Sequence, residues 1–184
     1  MSNSDIDLLK SAIAEYWPVE PSDKVKRYIG QYFDCTRVGT RINGRVEGNH
    51  GTYTVTVHLK GNRLSSACSC YIGKGGNCHH CVALAKTFVL HPLSFRESET
   101  KTLEDVKSMA DLEIYLKSET LDSLIAQLKS KGISQKAFAE SIGMNPRHLS
   151  AIKSSELRNR FYNELGATKL AVLWVMEHVL DGKR

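Results

Sequence analysis

The apolar residues near the N-terminus recur every three or four positions, at Ile6, Leu9, Ile13 and Tyr16. This spacing is typical of an amphipathic helix, so we predict a helix over 4–17 with Ser4 as its cap. Pro18 ends that helix. A second helix, which carries several lysines and arginines, is predicted over 22–33.

The apolar spacing changes to two after Cys35. Val55 and Val57 alternate with threonines, which is the pattern of a strand with one buried face. Glycine and asparagine mark the turns on either side. We therefore predict a small antiparallel β-sheet with strands at 42–48, 52–60 and 63–67. A short apolar helix at 82–90 follows it.

The second half of the chain returns to helical spacing after a polar linker at 93–101. Helices are predicted at 119–131, 134–141, 146–153 and 167–180. The fold class is therefore expected to be α+β. Four segments follow from these patterns: a helical lead-in (1–34), a sheet module (35–92), a linker with short helices (93–118) and an all-α module (119–184).

The positive charge of the chain is concentrated in two stretches. The formal net charge is +5, but residues 24–63 carry eight Lys/Arg against two acids, and residues 134–160 carry five against two. Such local excesses favour a polyanionic partner such as nucleic acid. Two ordinary solvated surfaces would give the same composition.

Four of the five cysteines lie within fourteen residues, in the segment Cys68-Ser-Cys70-Tyr-Ile-Gly-Lys-Gly-Gly-Asn-Cys78-His79-His80-Cys81. An odd cysteine count with adjacent histidines argues against a secreted disulfide framework and favours a metal in a reducing compartment. The C-x-C pair can supply two thiolates, and the glycines let the chain fold back to bring two further ligands. Buried free thiols are the alternative, but they explain neither the glycines nor the histidines.

A C-x-C pair, a glycine-rich spacer, C-x-H and an apolar helix resemble the SWIM zinc finger over about residues 40–90. The resemblance implies one structural Zn²⁺ held by Cys68, Cys70, Cys78 and His80, and a role in binding DNA or proteins. Two departures leave alternatives open. His79 can compete with His80, and Cys81 can complete a four-cysteine site in its place.

Residues 135–154 contain the features that a helix-turn-helix needs. Ala139 is the small residue at the helix crossing, and Gly143 suits the turn. Asn145 can cap the second helix, and Pro146 suits its first position. The stretch resembles the helix-turn-helix of phage Cro and repressor proteins over about 120–180. That resemblance implies DNA contacts from the second helix and the segment after it, through Arg147, His148, Ser150, Lys153, Arg158 and Arg160.

These patterns together predict a zinc-dependent DNA-binding protein of the cytoplasm, acting in transcription regulation or in a mobile-element or genome-defence setting. The alternative is a protein-interaction subunit of a larger helicase or recombination machine, and RNA binding through 24–63 is a weaker third hypothesis. No catalytic motif is evident, so no enzymatic activity is expected. No secretory signal or membrane span is expected either, since the N-terminus is polar and no apolar run is long enough.

The last predicted helix is apolar on nearly all sides, from Leu170 to Leu180. A surface helix normally has one apolar face, so the surplus must be covered. The helix either lies in the core of its module or contributes Trp174 or Met176 to a homodimer contact.

Overall fold

The protein has the α+β fold that the sequence predicts, and it divides into two units between Glu99 and Thr100. The computed structural model describes residues 3–179. The first unit contains the β-sheet and three helices. In its described part, the second unit contains five α-helices, and each unit has its own apolar core.

The sheet of the first unit has five strands in the order β4-β3-β2-β1-β5. Their bounds are Phe33–Val38 (β1), Arg41–Gly48 (β2), Gly51–Lys60 (β3), Arg63–Cys68 (β4) and Arg96–Glu97 (β5). β2, β3 and β4 correspond to the three predicted strands. β1 pairs in parallel with β5 while the other pairs are antiparallel, so the sheet is mixed and not purely antiparallel.

The alternation in β3 buries Val55, Val57 and Leu59, because successive side chains of a strand point to opposite faces. Two helices contribute to the same core, α1 (Asn3–Tyr16) and α3 (His79–Leu90). The core of the first unit therefore joins the N-terminal helix, the sheet and the helix that follows the cysteines.

The predicted helix at 22–33 is wrong in its extent. The helix α2 covers only Asp23–Lys26, and the chain then turns. Gly30 adopts a positive φ of 78°, which a helix does not tolerate, and its N–H donates to Thr87 Oγ1 of α3 over 2.9 Å. This anchor redirects the chain into β1.

The second unit is an assembly of five helices: Met109–Ser118 (α4), Leu121–Ser130 (α5), Gln135–Ser141 (α6), Pro146–Glu156 (α7) and Leu165–His178 (α8). Thr120, Ser134 and Asn145 cap α5, α6 and α7 through their side chains. Leu121, Leu124 and Leu128 form the fully buried stripe of α5.

A buried ion pair ties four of these helices together. Lys169 Nζ of α8 lies 2.6 Å from Glu156 Oε1 of α7, and both side chains are less than 10% exposed. Lys169 also donates to the carbonyls of Leu116 and Glu119 at the end of α4, while Glu156 accepts from the Leu121 N–H. The pair thus satisfies backbone groups at two helix ends.

The helix α8 buries one face and exposes another. Val172, Leu173 and Met176 are buried, whereas Trp174 is 58% exposed. Trp174 is therefore available for the predicted homodimer contact, whereas Met176 is not. Leu180, at the end of the predicted helix, lies outside the described residues. Among residues 3–179 no helix combines the length and the apolar character needed to cross a membrane.

Candidate functional site

The four predicted metal ligands lie together. The Sγ atoms of Cys68, Cys70 and Cys78 and a ring nitrogen of His80 are all within 4.8 Å of one another, and all four residues are buried. We call them the Cys3His cluster.

Three elements position the cluster. Cys68 is the last residue of β4, and Cys70 follows two residues later. Cys78 precedes the first residue of α3, and His80 lies in the first turn of that helix. A single 3-10 turn, Ile72–Gly75, connects the two halves and reverses the chain.

The spacing within the cluster fits a tetrahedral metal. His80 Nδ1 lies 3.7 Å from Cys68 Sγ and 3.9 Å from Cys78 Sγ. Ligands at the usual Zn–S and Zn–N bond lengths are separated by about 3.5–3.8 Å along the edges of a tetrahedron. The cluster can therefore hold a metal ion through Nδ1 and three thiolates.

The thiols of the cluster cannot easily ionise together. The pKa of Cys78 is lowered by hydrogen bonds from Cys68 and then Cys81, while those same contacts, followed by burial, raise the pKa of Cys68 and of Cys81. Burial also raises the pKa of Cys70. A divalent cation removes this conflict, because it stabilises several thiolates at once.

The backbone around Cys68 and Cys70 is arranged toward their sulfur atoms. Gly73 N–H donates to Cys70 Sγ over 3.1 Å, and Cys70 N–H donates to Cys68 Sγ over 3.4 Å. Hydrogen bonds of this kind stabilise a thiolate. A sequence motif does not predict these hydrogen bonds, because they depend on the conformation of the turn.

The glycines of the spacer have separate functions. A Cβ on Gly73 would lie 2.6 Å from the Cys68 carbonyl oxygen, so only glycine allows this close approach. Gly76 has a φ of 76°, and a Cβ there would collide with the carbonyl of Ser66. The sequence predicted flexibility in this stretch, whereas the structure uses two of the glycines for tight packing.

His80 is enclosed by three tyrosines that the sequence did not single out. Tyr32 Oη donates to the His80 carbonyl over 2.6 Å, and burial raises the pKa of this phenol. The rings of Tyr28 and Tyr53 lie 4.7 and 4.9 Å from the His80 ring. These residues come from distant parts of the sequence, so spacing alone gave no signal for them.

The two alternative ligands lie beside the cluster. Cys81 Sγ is 3.6 Å from Cys78 Sγ, but it is not one of the four mutually close ligand atoms. The His79 ring packs against His80 with a centroid distance of 4.0 Å and against Tyr28. The geometry therefore favours His80 over both neighbours.

The second candidate site is the helix pair α6 and α7. Gly143 in the connecting turn has a φ of 70°, and Ala139 is fully buried. Asn145 Oδ1 accepts from the Arg147 N–H over 2.8 Å, which is the cap that the sequence predicts. α6 and α7 are thus two short helices joined by a glycine turn, and the second helix is capped by Asn145.

The six predicted DNA-contacting residues differ in their availability. Arg147 is exposed at the start of α7, and Arg158 is exposed beyond its end. His148 packs against the Tyr162 ring at 5.5 Å, and the Ser150 hydroxyl accepts from Gln135. Lys153 forms an ion pair with Asp122 at 3.1 Å, and Arg160 is exposed.

A scan against protein-family models found no match, and comparisons with curated proteins and with solved structures found no similar protein. The resemblances to SWIM fingers and to phage repressors therefore remain predictions from residue types and spacing.

Proposed function

We propose that the Cys3His cluster binds one Zn²⁺ with a structural function. The observation that carries this proposal is four buried ligand atoms within 4.8 Å, three of them sulfur. Soft thiolates with one imidazole at tetrahedral spacing suit zinc, and all four positions would be filled by protein. Zinc would fix the end of β4 to the start of α3 and complete the core of the first unit.

The test of this proposal is the zinc content of matched cysteine variants. Cys68→Ser removes a predicted ligand, whereas Cys81→Ser alters a thiol beside the cluster and Cys35→Ser alters a more distant one. We expect about one zinc per chain in the wild type and in the two control variants. If Cys81→Ser loses zinc while His80→Ala retains it, the fourth ligand is Cys81 and not His80.

We further propose that the protein binds double-stranded DNA through α7. The support is an exposed arginine at the first turn of a helix that follows a tight glycine turn. Arg147 can reach the edge of a guanine in the major groove, and Arg158 can contact a phosphate. Lys153 contributes less than expected, because Asp122 already neutralises it. We also propose that the protein acts in the cytoplasm, in transcription regulation or in a mobile-element or genome-defence setting.

The test is a mobility shift with genomic fragments at two salt concentrations. Arg147→Ala should weaken binding to the preferred site by roughly 1–3 kcal/mol and relax one base position. Arg158→Ala should weaken all sequences alike and reduce the salt dependence. Lys136→Ala is the control, since Lys136 is an exposed α6 residue outside the predicted contact set. Unchanged affinity in both arginine variants would remove α7 from the DNA interface.

One observation favours the alternative function, an interaction subunit of a larger assembly. An apolar groove of about 630 Å³ lies between α4 and α8 and includes the exposed residues Met109 and Leu170. Exposed apolar surface of this kind often marks a protein contact. Salt-labile binding without sequence preference in the mobility shift would favour this function over a regulator.

A further inference from the structure

A cleft opens next to the Cys3His cluster, on the side of the His80 ring. Its volume is about 360 Å³, which falls within the size range of small-ligand sites. Aromatic rings dominate its lining: Tyr28, Tyr53, Tyr71, His50, His79 and His80. We call it the tyrosine cleft.

The outer edge of the tyrosine cleft exposes an unusual amount of apolar surface. Tyr71 and Ile72, at the start of the 3-10 turn, are 78% and 70% exposed. Adjacent large side chains held in water beside a concave surface indicate a place where a ligand covers them. The turn that carries them is fixed by the cysteines at either end.

The inner wall of the cleft contains an unsatisfied hydrogen-bonding group. His80 faces the thiols with Nδ1, and its Nε2 is buried with no hydrogen-bond partner among the described residues. A metal-bound histidine carries its proton on the other nitrogen and normally donates it to an acceptor. A ligand that enters the cleft can supply this acceptor.

Among the described residues that line the cleft, none carries a carboxylate. Lys24 of α2 is exposed, and α2 packs against α3, the helix that carries His79 and His80. Arg27 is exposed one residue beyond α2, and neither Lys24 nor Arg27 has an ion-pair partner in the described part of the chain.

These features select one class of ligand. Aromatic walls suit any planar ring or a quaternary cation, but a quaternary cation offers no acceptor to His80 and is repelled by Lys24. A phenylalanine or tryptophan side chain also offers no acceptor. A nucleobase combines a flat π-face with carbonyl acceptors, and its phosphate carries the charge that Lys24 and Arg27 match.

We propose that the tyrosine cleft binds an unpaired base of a single-stranded nucleic acid. The base stacks on Tyr71 at the mouth, its carbonyl accepts from His80 Nε2, and the neighbouring phosphates contact Lys24 and Arg27. This site is in the first unit and does not depend on α7. It extends the proposed function from duplex DNA alone to DNA with an exposed single strand.

The experiment is fluorescence anisotropy of the full-length, zinc-loaded protein with a short labelled oligothymidine. The control probe has the same length and abasic linkers, so that it keeps the phosphates and lacks the bases. We expect the wild type to bind oligothymidine more tightly than the abasic strand by about 5- to 150-fold, the amount that one stacked base contributes. Equal binding of the two probes would overturn the proposal.

Two variants test the assigned residues. Tyr71→Ala should lose most of the preference for bases and still bind zinc, because its side chain is largely outside the core. Tyr16→Ala, a change at an exposed tyrosine of the same unit, should keep it. Lys24→Gln should lower the salt dependence of binding by about 0.7 in the logarithmic slope. If neither Tyr71→Ala nor Lys24→Gln changes the binding, the proposal is wrong.

Further measurements separate this proposal from the others. Arg147→Ala should leave oligothymidine binding intact while it weakens duplex binding, and Tyr71→Ala should do the reverse. Absence of oligothymidine binding with normal duplex binding would overturn the cleft proposal and leave the role of α7 standing. Binding of an N-trimethyllysine peptide in place of oligothymidine would make the cleft a cation site and also overturn it.

Discussion

Individual residues of the spacer determine whether the Cys3His cluster can form. Gly76 and Gly61 both adopt positive φ angles, 76° and 58°, and both lie in turns of the first unit. They differ in their surroundings, because a Cβ on Gly76 would collide with Ser66 while a Cβ on Gly61 would meet nothing within 4 Å. A comparison of substitutions at these two glycines therefore distinguishes the cost of backbone strain from the cost of a steric collision.

We therefore expect Gly76→Ala to be more damaging than Gly61→Ala. Both substitutions incur the left-handed conformation, about 1–2 kcal/mol, but only the first adds overpacking of about 1–3 kcal/mol. The free energies of unfolding from denaturant titration, with zinc content measured alongside, make the comparison. Equal destabilisation by the two variants would mean that the close approach of Gly76 to β4 is unimportant.

At the scale of residues, the sequence predicted which four side chains lie together but not their surroundings. Cys68, Cys70 and Cys78 share a short segment, and the resemblance to SWIM fingers selected His80 over His79 and Cys81. Tyr28, Tyr53 and Tyr71 come from three separate segments that meet only when the sheet and α3 pack. Contacts between residues so distant in the sequence leave no local pattern, and the tyrosine cleft could therefore not be predicted.

Among the secondary-structure elements, β2, β3 and β4 were predictable because their alternating apolar residues bury one face. β1 lacks this signal, since a bulge between Phe33 and Thr36 interrupts its pairing and Asp34 has a positive φ of 51°. β5 has two residues, which is too short for any period. The helices α5, α6 and α7 were predictable from their caps and apolar stripes.

The helices of the second unit depend on the buried pair of Lys169 and Glu156. Lys169→Met leaves the Glu156 carboxylate buried without its cation, and it also removes the donor to the carbonyls of Leu116 and Glu119. We expect a loss of about 3–5 kcal/mol in the free energy of unfolding of the second unit. Thermal unfolding followed by circular dichroism measures the effect.

Lys117→Met is the matched control for this change. Lys117 forms an ion pair with Glu113 on the exposed side of α4, and such pairs contribute less than about 1 kcal/mol. If Lys169→Met were no more destabilising than Lys117→Met, the buried pair would not be the link between α4, α7 and α8.

On the scale of the whole molecule, zinc and the two units lead to a prediction about metal removal. Structural zinc contributes about 10–16 kcal/mol to the folding of small finger peptides. Chelation should therefore unfold much of the first unit, while the second unit has a separate apolar core and should keep its helices. Hydrogen exchange with mass spectrometry should show lost protection in β3, β4 and α3 but unchanged protection in α5 and α8. Equal loss in both units would contradict this division.

The exposed face of α8 leads to a prediction about self-association. Trp174 stacks on His178 and is otherwise exposed, so we propose it as the centre of a homodimer contact. Sedimentation of the wild type should show a dimer at micromolar concentration, and Trp174→Glu should give a folded monomer. A monomeric wild type would show that the proposed homodimer contact does not form. An unfolded Trp174→Glu variant would show that Trp174 belongs to the core.

The proposed metal site is a zinc ion held by three sulfurs and one nitrogen. X-ray absorption at the zinc edge of the purified wild type tests it directly. We predict three sulfur ligands at about 2.3 Å and one nitrogen ligand at about 2.0–2.1 Å. Four sulfur ligands would show that Cys81 binds in place of His80, and two nitrogen ligands would show that His79 also binds. Purified protein without stoichiometric zinc would contradict the proposed site.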